Sequence, residues 1–247
     1  MLKILTERLR QGHRTLADKA PPSLPSGYQG LPVLSSEHCQ EGCKSCAEVC
    51  PTGAVSPGPQ LDLGACLFCG ECARACPSGA IAFGNDHRMA VRSRSDLVLT
   101  GQELKLAEAL EARSRKLFGR SLKLRQVSAG GCNACEAEIN VLSTVVFDLG
   151  RFGVQVVASP RHADGLIVTG PVSQNMREAL LKTYQAVPEP RLVIAVGACA
   201  VAGGPYRDHP EVENGLGGIL PVDLSIPGCP PHPLTILDGL LRLLGRL

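Results

Sequence analysis

The stretch Cys66-Leu67-Phe68-Cys69-Gly70-Glu71-Cys72-Ala73-Arg74-Ala75-Cys76-Pro77 spaces four cysteines by two, two and three residues and closes on a proline. Cubane iron-sulfur clusters use this spacing: three thiolates hold one cluster, and the fourth, beside the proline, reaches across to another. A second run is therefore required, and it lies upstream as Cys43-x-x-Cys46-x-x-x-Cys50-Pro51. CAEVCPTGAV (46–55) matches CARACPSGAI (72–81) at one constant offset, which marks an internal duplication.

The crossover rule divides these ligands. Cys39, Cys43, Cys46 and Cys76 are expected to hold one cluster, and Cys50, Cys66, Cys69 and Cys72 the other. One irregularity stands in the first run, which opens Cys39-Gln40-Glu41-Gly42-Cys43 with three intervening residues instead of two. Gly42 can absorb the extra residue through dihedrals closed to other residues, so Cys39 is retained as the fourth ligand. A three-iron cluster, or ligation by the adjacent His38, are the alternatives.

The chain has 247 residues, 44% apolar and 19% charged, enough for one large or two smaller globular domains. A net charge of +2 with dispersed Lys and Arg, 3% aromatics and no Trp argue against nucleic acid as a partner. No signal-peptide pattern opens the chain, so its twelve cysteines suit a reducing compartment better than a disulfide scaffold. No apolar run is long enough to span a bilayer.

Four regions are expected. Residues 1–30 comprise a basic amphipathic helix, with Leu2, Leu5, Leu9 and Leu16 among Lys3, Arg8, Arg10 and Arg14, and an extended arm rich in proline and glycine. The helix has two readings, packing on its own domain or docking on a membrane surface or partner. Residues 31–92 form a small α+β unit with so few core residues that its clusters must supply the cross-links. Residues 93–121 read as a helical linker, with Thr100 and Glu103 as a capping box and Leu104, Ala107, Leu110 and Leu117 in helical period.

From Leu122 to Leu247, apolar β-rich runs (LKLRQVS, GVQVVA, GLIVT, LVIAV, VDLSI) alternate with helical stretches at 136–148, 174–186 and 233–246. This predicts an α/β domain built on a parallel, flavodoxin-like sheet. Cys132 and Cys135, Cys199 and Cys229 each follow a predicted strand, and ligands bind at the carboxyl edge of such sheets. A third 4Fe-4S cluster is the economical reading, with Gly131, Ala134, Ala198 and Gly228 allowing amides close to its sulfurs. A zinc-stabilised assembly or regulatory module is the competitor, since zinc also takes thiolates. The C-terminal stretch, with seven leucine and isoleucine residues from Leu234 to Leu244, is apolar on too many faces to stand alone; a partner subunit is the expected cover, with burial against its own sheet satisfying part of the surface.

Read together, the loops GGCNACEAEI, SPRHADGLIVTGPV, AVGACAVAGG and IPGCPPHP make residues 122–247 resemble the small electron-transfer subunits of NiFe hydrogenases and of respiratory complex I. Complex I subunits carry adjacent cysteines where Asn133 and Ala134 separate Cys132 from Cys135, so the chain is more similar to the energy-converting, formate-hydrogenlyase type. Its N-terminal part resembles the two-cluster ferredoxin subunit of the same complexes, including the basic leading helix and GLPVL (30–34).

The resemblance implies a ferredoxin-like domain fused to a small-subunit domain, relaying electrons through three 4Fe-4S clusters. Cys132, Cys135, Cys199 and Cys229 would hold the proximal cluster facing a catalytic large subunit that carries the NiFe centre. The implied partners are that large subunit, an electron donor and membrane-integral subunits, with the chain peripheral on the cytoplasmic face. The alternative within the class is a complex I-like quinone oxidoreductase.

Glu136 and Glu138 occupy positions that are acidic in that family, and serve either a proton path or stabilisation of a helix N-terminus. Arg161, His162 and His232 either border the third cluster or have surface and capping roles. GxGxxG and GxxxxGK[ST] are both absent, which argues against nucleotide cofactors.

Overall fold

The computed structural model describes residues 2–12, 14–16 and 24–247. Pro21 and Pro22 of the expected arm lie outside these residues. Helix α1 (Leu2–Gln11) forms where the leucine spacing predicts it, yet it buries none of its residues. Leu2, Leu5 and Leu9 are 85%, 62% and 83% exposed, so packing on the chain's own domain is not realised. The chain just beyond the helix does dock: Leu16 N donates to Val146 O, Thr15 Oγ1 to Val145 O, and Arg151 Nη2 to Leu16 O.

The duplicated cysteine region contains β1 (Pro32–Leu34), α2 (Ser45–Glu48), β2 (Val55–Ser56), β3 (Gln60–Asp62), α3 (Glu71–Ala75), β4 (Ile81–Phe83) and β5 (Val98–Leu99). β1 pairs antiparallel with β4, and β2, β3 and β5 form a second antiparallel sheet. The elements are short because Cys-Pro and Gly turns interrupt them every few residues. The duplication survives in the fold: α2 and α3 each carry one buried thiol, Cys46 and Cys72.

The remaining elements are α4 (Ala112–Phe118), β6 (Leu122–Ser128), α5 (Ala134–Val141), β7 (Val154–Val156), β8 (Gly165–Thr169), α6 (Gln174–Ala186), β9 (Leu192–Val196), α7 (Ala198–Ala202), β10 (Leu224–Ile226) and α8 (Pro233–Leu243). Strand order β10-β9-β8-β6-β7, parallel throughout, is the flavodoxin-like winding, with its switch point between β6 and β8. Every residue of β8 and β9 is buried, as expected of parallel strands covered on both faces.

Three expectations need correction. The helical linker shrinks to α4, because residues 100–111 form a strap whose backbone bonds go elsewhere: Ala107 N to Ala90 O and Leu110 N to Leu243 O. Ala107 and Leu110 are the buried residues of this strap, so their three-residue spacing serves packing and not a helix. The helix expected over 136–148 stops at Val141; the β-branched run Thr144-Val145-Val146 disfavours continuation, and the Thr144 hydroxyl donates back to Val141 O. Finally, α8 needs no partner to cover it, since Ile236, Leu240, Leu243 and Leu244 are buried within the chain's own core.

The cysteine-rich region does not rest on its clusters alone. Leu61, Leu63 and Leu97 share one apolar core with Val201, Leu216 and Leu220 of the α/β region. Val91 bridges Ser225 antiparallel, with N–H···O distances of 3.0 and 2.8 Å, so the N-terminal half adds a partner to the edge strand β10. Ala90 packs so closely that a Cβ on Gly239 would stand 2.6 Å from its own.

Candidate metal centres

The parallel sheet builds one site at its carboxyl edge. Cys132 and Cys135 follow β6, Cys199 opens α7 after β9, and Cys229 follows β10. These loops approach through glycine: a Cβ on Gly170 would lie 2.6 Å from Gly131 N, and one on Gly197 would lie 2.5 Å from Cys135 Sγ. On Gly204 it would lie 2.7 Å from Cys199 Sγ. Bare glycine backbone thus packs against two of the four sulfurs, where a Cβ would not fit.

Burial pushes the Cys135 and Cys199 thiols up to about 12, with further opposition to both from Cys132, Cys229 and Glu136, and to Cys135 from Cys199 as well. Cys229 is raised by burial and then by Cys132. These thiols stay protonated at neutral pH unless a cation replaces the proton, which is the condition of a metal-ligating thiolate. Cys132 and Cys229 are exposed, whereas Cys135 and Cys199 are half-buried, so the site opens to one side of the molecule.

The N-terminal thiols sort into two further groups. Cys46 is raised by burial and, beyond that, by Cys76 and Cys39. Cys66 is pushed up to about 12 by burial, with Cys72, Cys50 and Cys69 adding to it, and Cys72 to about 11 by burial with Cys50 and Cys69. Each group therefore crosses the duplication, taking one member from the other run.

Amides point at sulfur in the repeat-related pair Ala54 N to Cys50 Sγ and Ala80 N to Cys76 Sγ, both 3.2 Å, and in Phe68 N to Cys66 Sγ at 3.3 Å. Cys76 falls below its usual value although burial acts against it, because the Ser78 hydroxyl and backbone amides outweigh the burial. All twelve thiols are free of disulfides. Among the described residues no three Cys, His, Asp or Glu side chains gather tightly enough for a single metal ion. Donor set, burial and the close approach of glycine backbone to sulfur fit an iron-sulfur cluster.

Around these thiols stand residues that the cysteine pattern does not reveal. Glu136, 5% exposed, accepts from Ser128 Oγ and from Thr169 Oγ1 at 2.6 Å, which clamps it at the switch point between β6 and β8. Its hydroxyl partners end those two strands, a signal readable only once β6 and β8 are known to be neighbours. Glu138 is raised by burial.

Asp62 pairs with both terminal nitrogens of Arg94, at 2.8 and 2.6 Å, and also accepts from Gly64 N, which braces the turn leading into Cys66. Tyr28 packs edge-on against His232 with centroids 5.5 Å apart. His232 takes the capping role, its Nδ1 accepting from Leu234 N, and Arg161 and His162 lie on the surface. The amide of Ala198, expected near sulfur, donates to Gly228 O instead.

Comparison with known proteins agrees with this architecture. The family model described as the NADH ubiquinone oxidoreductase 20 Kd subunit matches residues 132–243, and that of the 4Fe-4S binding domain matches residues 59–82. A probable membrane-bound hydrogenase subunit of Pyrococcus furiosus is 43% identical over 59% of this chain and 87% of its own length. Formate hydrogenlyase subunit 7 of Escherichia coli is 44% identical over 56% of this chain and 54% of its own. An NADH-quinone oxidoreductase subunit of a Roseiflexus species is 45% identical over 46% of this chain and 42% of its own. No helix among the described residues is long and apolar enough to cross a membrane.

Proposed function

The chain belongs to the family of the NADH ubiquinone oxidoreductase 20 Kd subunit, and from that premise we propose that it relays electrons through three 4Fe-4S clusters to or from the NiFe large subunit of a membrane-associated hydrogenase complex. The observation that carries this reading is the sorting of the thiols into Cys39/Cys46/Cys76, Cys50/Cys66/Cys69/Cys72 and Cys132/Cys135/Cys199/Cys229. Cys43, on the turn between Cys39 and Cys46, completes the first group. Bound there, the clusters would supply one-electron carriers. Catalysis would belong to a partner subunit.

The chain's residues do three things for such carriers. Thiols on these loops would hold them, and the apolar core around Cys46, Cys66 and Cys72 would keep water from their inner faces. Amides of Ala54, Phe68 and Ala80 offset negative charge on sulfur. The join between the halves sets the order: a Cβ on Gly64, just before Cys66, would meet Val201 Cγ1 at 2.8 Å, just after Cys199. Gly70 lies against Gln29, whose neighbour Tyr28 touches His232 beside the Cys229 loop. The group containing Cys66 is thus intermediate, the group containing Cys39 is remote, and the group containing Cys132 faces the large subunit through exposed Cys132 and Cys229.

Attachment to a membrane complex is supported by α1, whose exposed leucines are flanked by Lys3, Arg8 and Arg10, and by exposed Val145 beside the docked arm. We assign the chain to the cytoplasmic side, with an electron donor at the Cys39 end. The NADH-quinone oxidoreductase relatives favour a complex I-like quinone oxidoreductase as the second reading. Metal analysis of the intact complex separates the two: about twelve irons per chain together with nickel supports the hydrogenase, and iron without nickel the quinone-linked enzyme. Zinc in place of iron would overturn both.

A further inference from the structure

Resting on the cluster reading above, we propose that the iron held by Cys39 is a labile corner, released on mild oxidation to leave a three-iron cluster on Cys43, Cys46 and Cys76. The extra residue of Cys39-x-x-x-Cys43 is taken up as a tight turn, closed by Cys43 N to Gln40 O at 3.1 Å and carried by Gly42 at φ +75°. Among the described residues no atom lies within 4 Å of a Cβ built on Gly42, so the turn is open on that side. Beside it opens a cleft of about 380 Å³ lined by Cys39, Glu41, Cys43, Pro57 and Gly58.

Sulfur environment points the same way. Cys50, Cys66 and Cys76 each accept an amide hydrogen bond, whereas the Cys39 thiol faces only its neighbour's carbonyl, Gln40 O, at 3.9 Å. A sulfur with no amide donor among the described residues, on a turn lengthened by one residue and open at Gly42, gives its iron the least support. Cys69 is exposed, where Cys39 is half-buried, and among the described residues it too has no amide donor, but its loop keeps ordinary spacing. Arg74 Nη2 donates to Cys69 O at 3.1 Å, and Gln29 and Arg74 both lie 3.6 Å from a Cβ on Gly70. Cys132 and Cys229 open onto the side assigned to the large subunit.

The step balances. A one-electron outer-sphere oxidant such as ferricyanide takes one electron from [4Fe-4S]2+ to give [4Fe-4S]3+, which expels Fe2+ and leaves [3Fe-4S]+. Cys39 is left as a free thiol once it takes a proton from water. The cleft gives the leaving ion a path to solvent.

The test uses the anaerobic complex. Iron counting comes first, and about twelve irons per chain secures the cluster reading. Far fewer sinks that reading and this inference together. Ferricyanide is then expected to remove one iron per chain and to raise the paramagnetic signal of an oxidised three-iron cluster, reversed by dithionite with Fe2+. Cys39→Ser is expected to show that signal as isolated, and deletion of Gly42, which restores two-residue spacing, to suppress it. If the shortened chain fails to fold, Cys39→Ser against Cys69→Ser decides. Retention of all iron, loss of a whole cluster without a three-iron signal, or a signal present as isolated in Cys69→Ser but not in Cys39→Ser, overturns the proposal.

Discussion

The sulfur of Cys135 sits where a side chain on Gly197 would begin: a Cβ there would stand 2.5 Å from Sγ. Gly197 also has φ +90°, closed to residues with a side chain. Gly197→Ala is expected to cost about 1–3 kcal/mol of stability and to displace Cys135, a ligand of the proposed third centre. Iron counting should show about four irons fewer per chain, with the signals of the N-terminal clusters unchanged.

Cys229→Ser tests the same centre from the other side of the sheet edge. It should likewise remove about four irons while leaving the ferredoxin-type signals intact. Unchanged iron content would exclude Cys229 as a ligand.

Crossing of the duplication predicts that Cys76→Ser perturbs the cluster of Cys39, Cys43 and Cys46, although Cys76 belongs to the other run. Paramagnetic resonance of the reduced protein should show one altered cluster and one unaltered. An altered signal traced by Cys66→Ser to the same cluster would refute the partition.

Arg94→Ala removes a two-bond ion pair to Asp62 that is partly exposed, worth about 1 kcal/mol in global stability. The larger effect should be local. With Asp62 released, the turn into Cys66 loosens, and amide exchange at Gly64 and Cys66 should speed up more than at β8.

Two half-buried imidazoles at the join give a pH dependence. Burial lowers His87 even though Asp238 and Asp86 favour its charged form, and Arg88 and Arg242 oppose that form. Burial lowers His232 too, and His87 adds to this. Both prefer the neutral state when folded, so their stabilisation is complete above the unfolded value of about 6.5 and is lost as pH falls through the folded values. The melting temperature should drop on the acid side of neutrality, and His87→Gln should flatten that limb.

Much of this was legible in the sequence because the signals were short-range. LVIAV and GLIVT are continuous apolar runs, and β9 (Leu192–Val196) and β8 (Gly165–Thr169) coincide with them. Eight cysteines stood out by their spacing, and Cys132, Cys135, Cys199 and Cys229 by following apolar runs. The strap over 100–111 was misread because Ala107 and Leu110 repeat every three residues, a period shared by a helix and by a chain held between two surfaces. The Ser128–Glu136–Thr169 clamp stayed hidden because it depends on which strands are neighbours, and sequence order does not tell that β8 lies between β6 and β9.

Val91 and Ser225 are joined by two main-chain bonds across the seam between the halves. Produced as two separate polypeptides, the C-terminal piece would display a bare strand margin of the kind that recruits foreign strands or clumps. Covalent fusion spares the cell that hazard: the capping segment arrives with its sheet at high effective concentration, and the relay's two parts are always made in equal number.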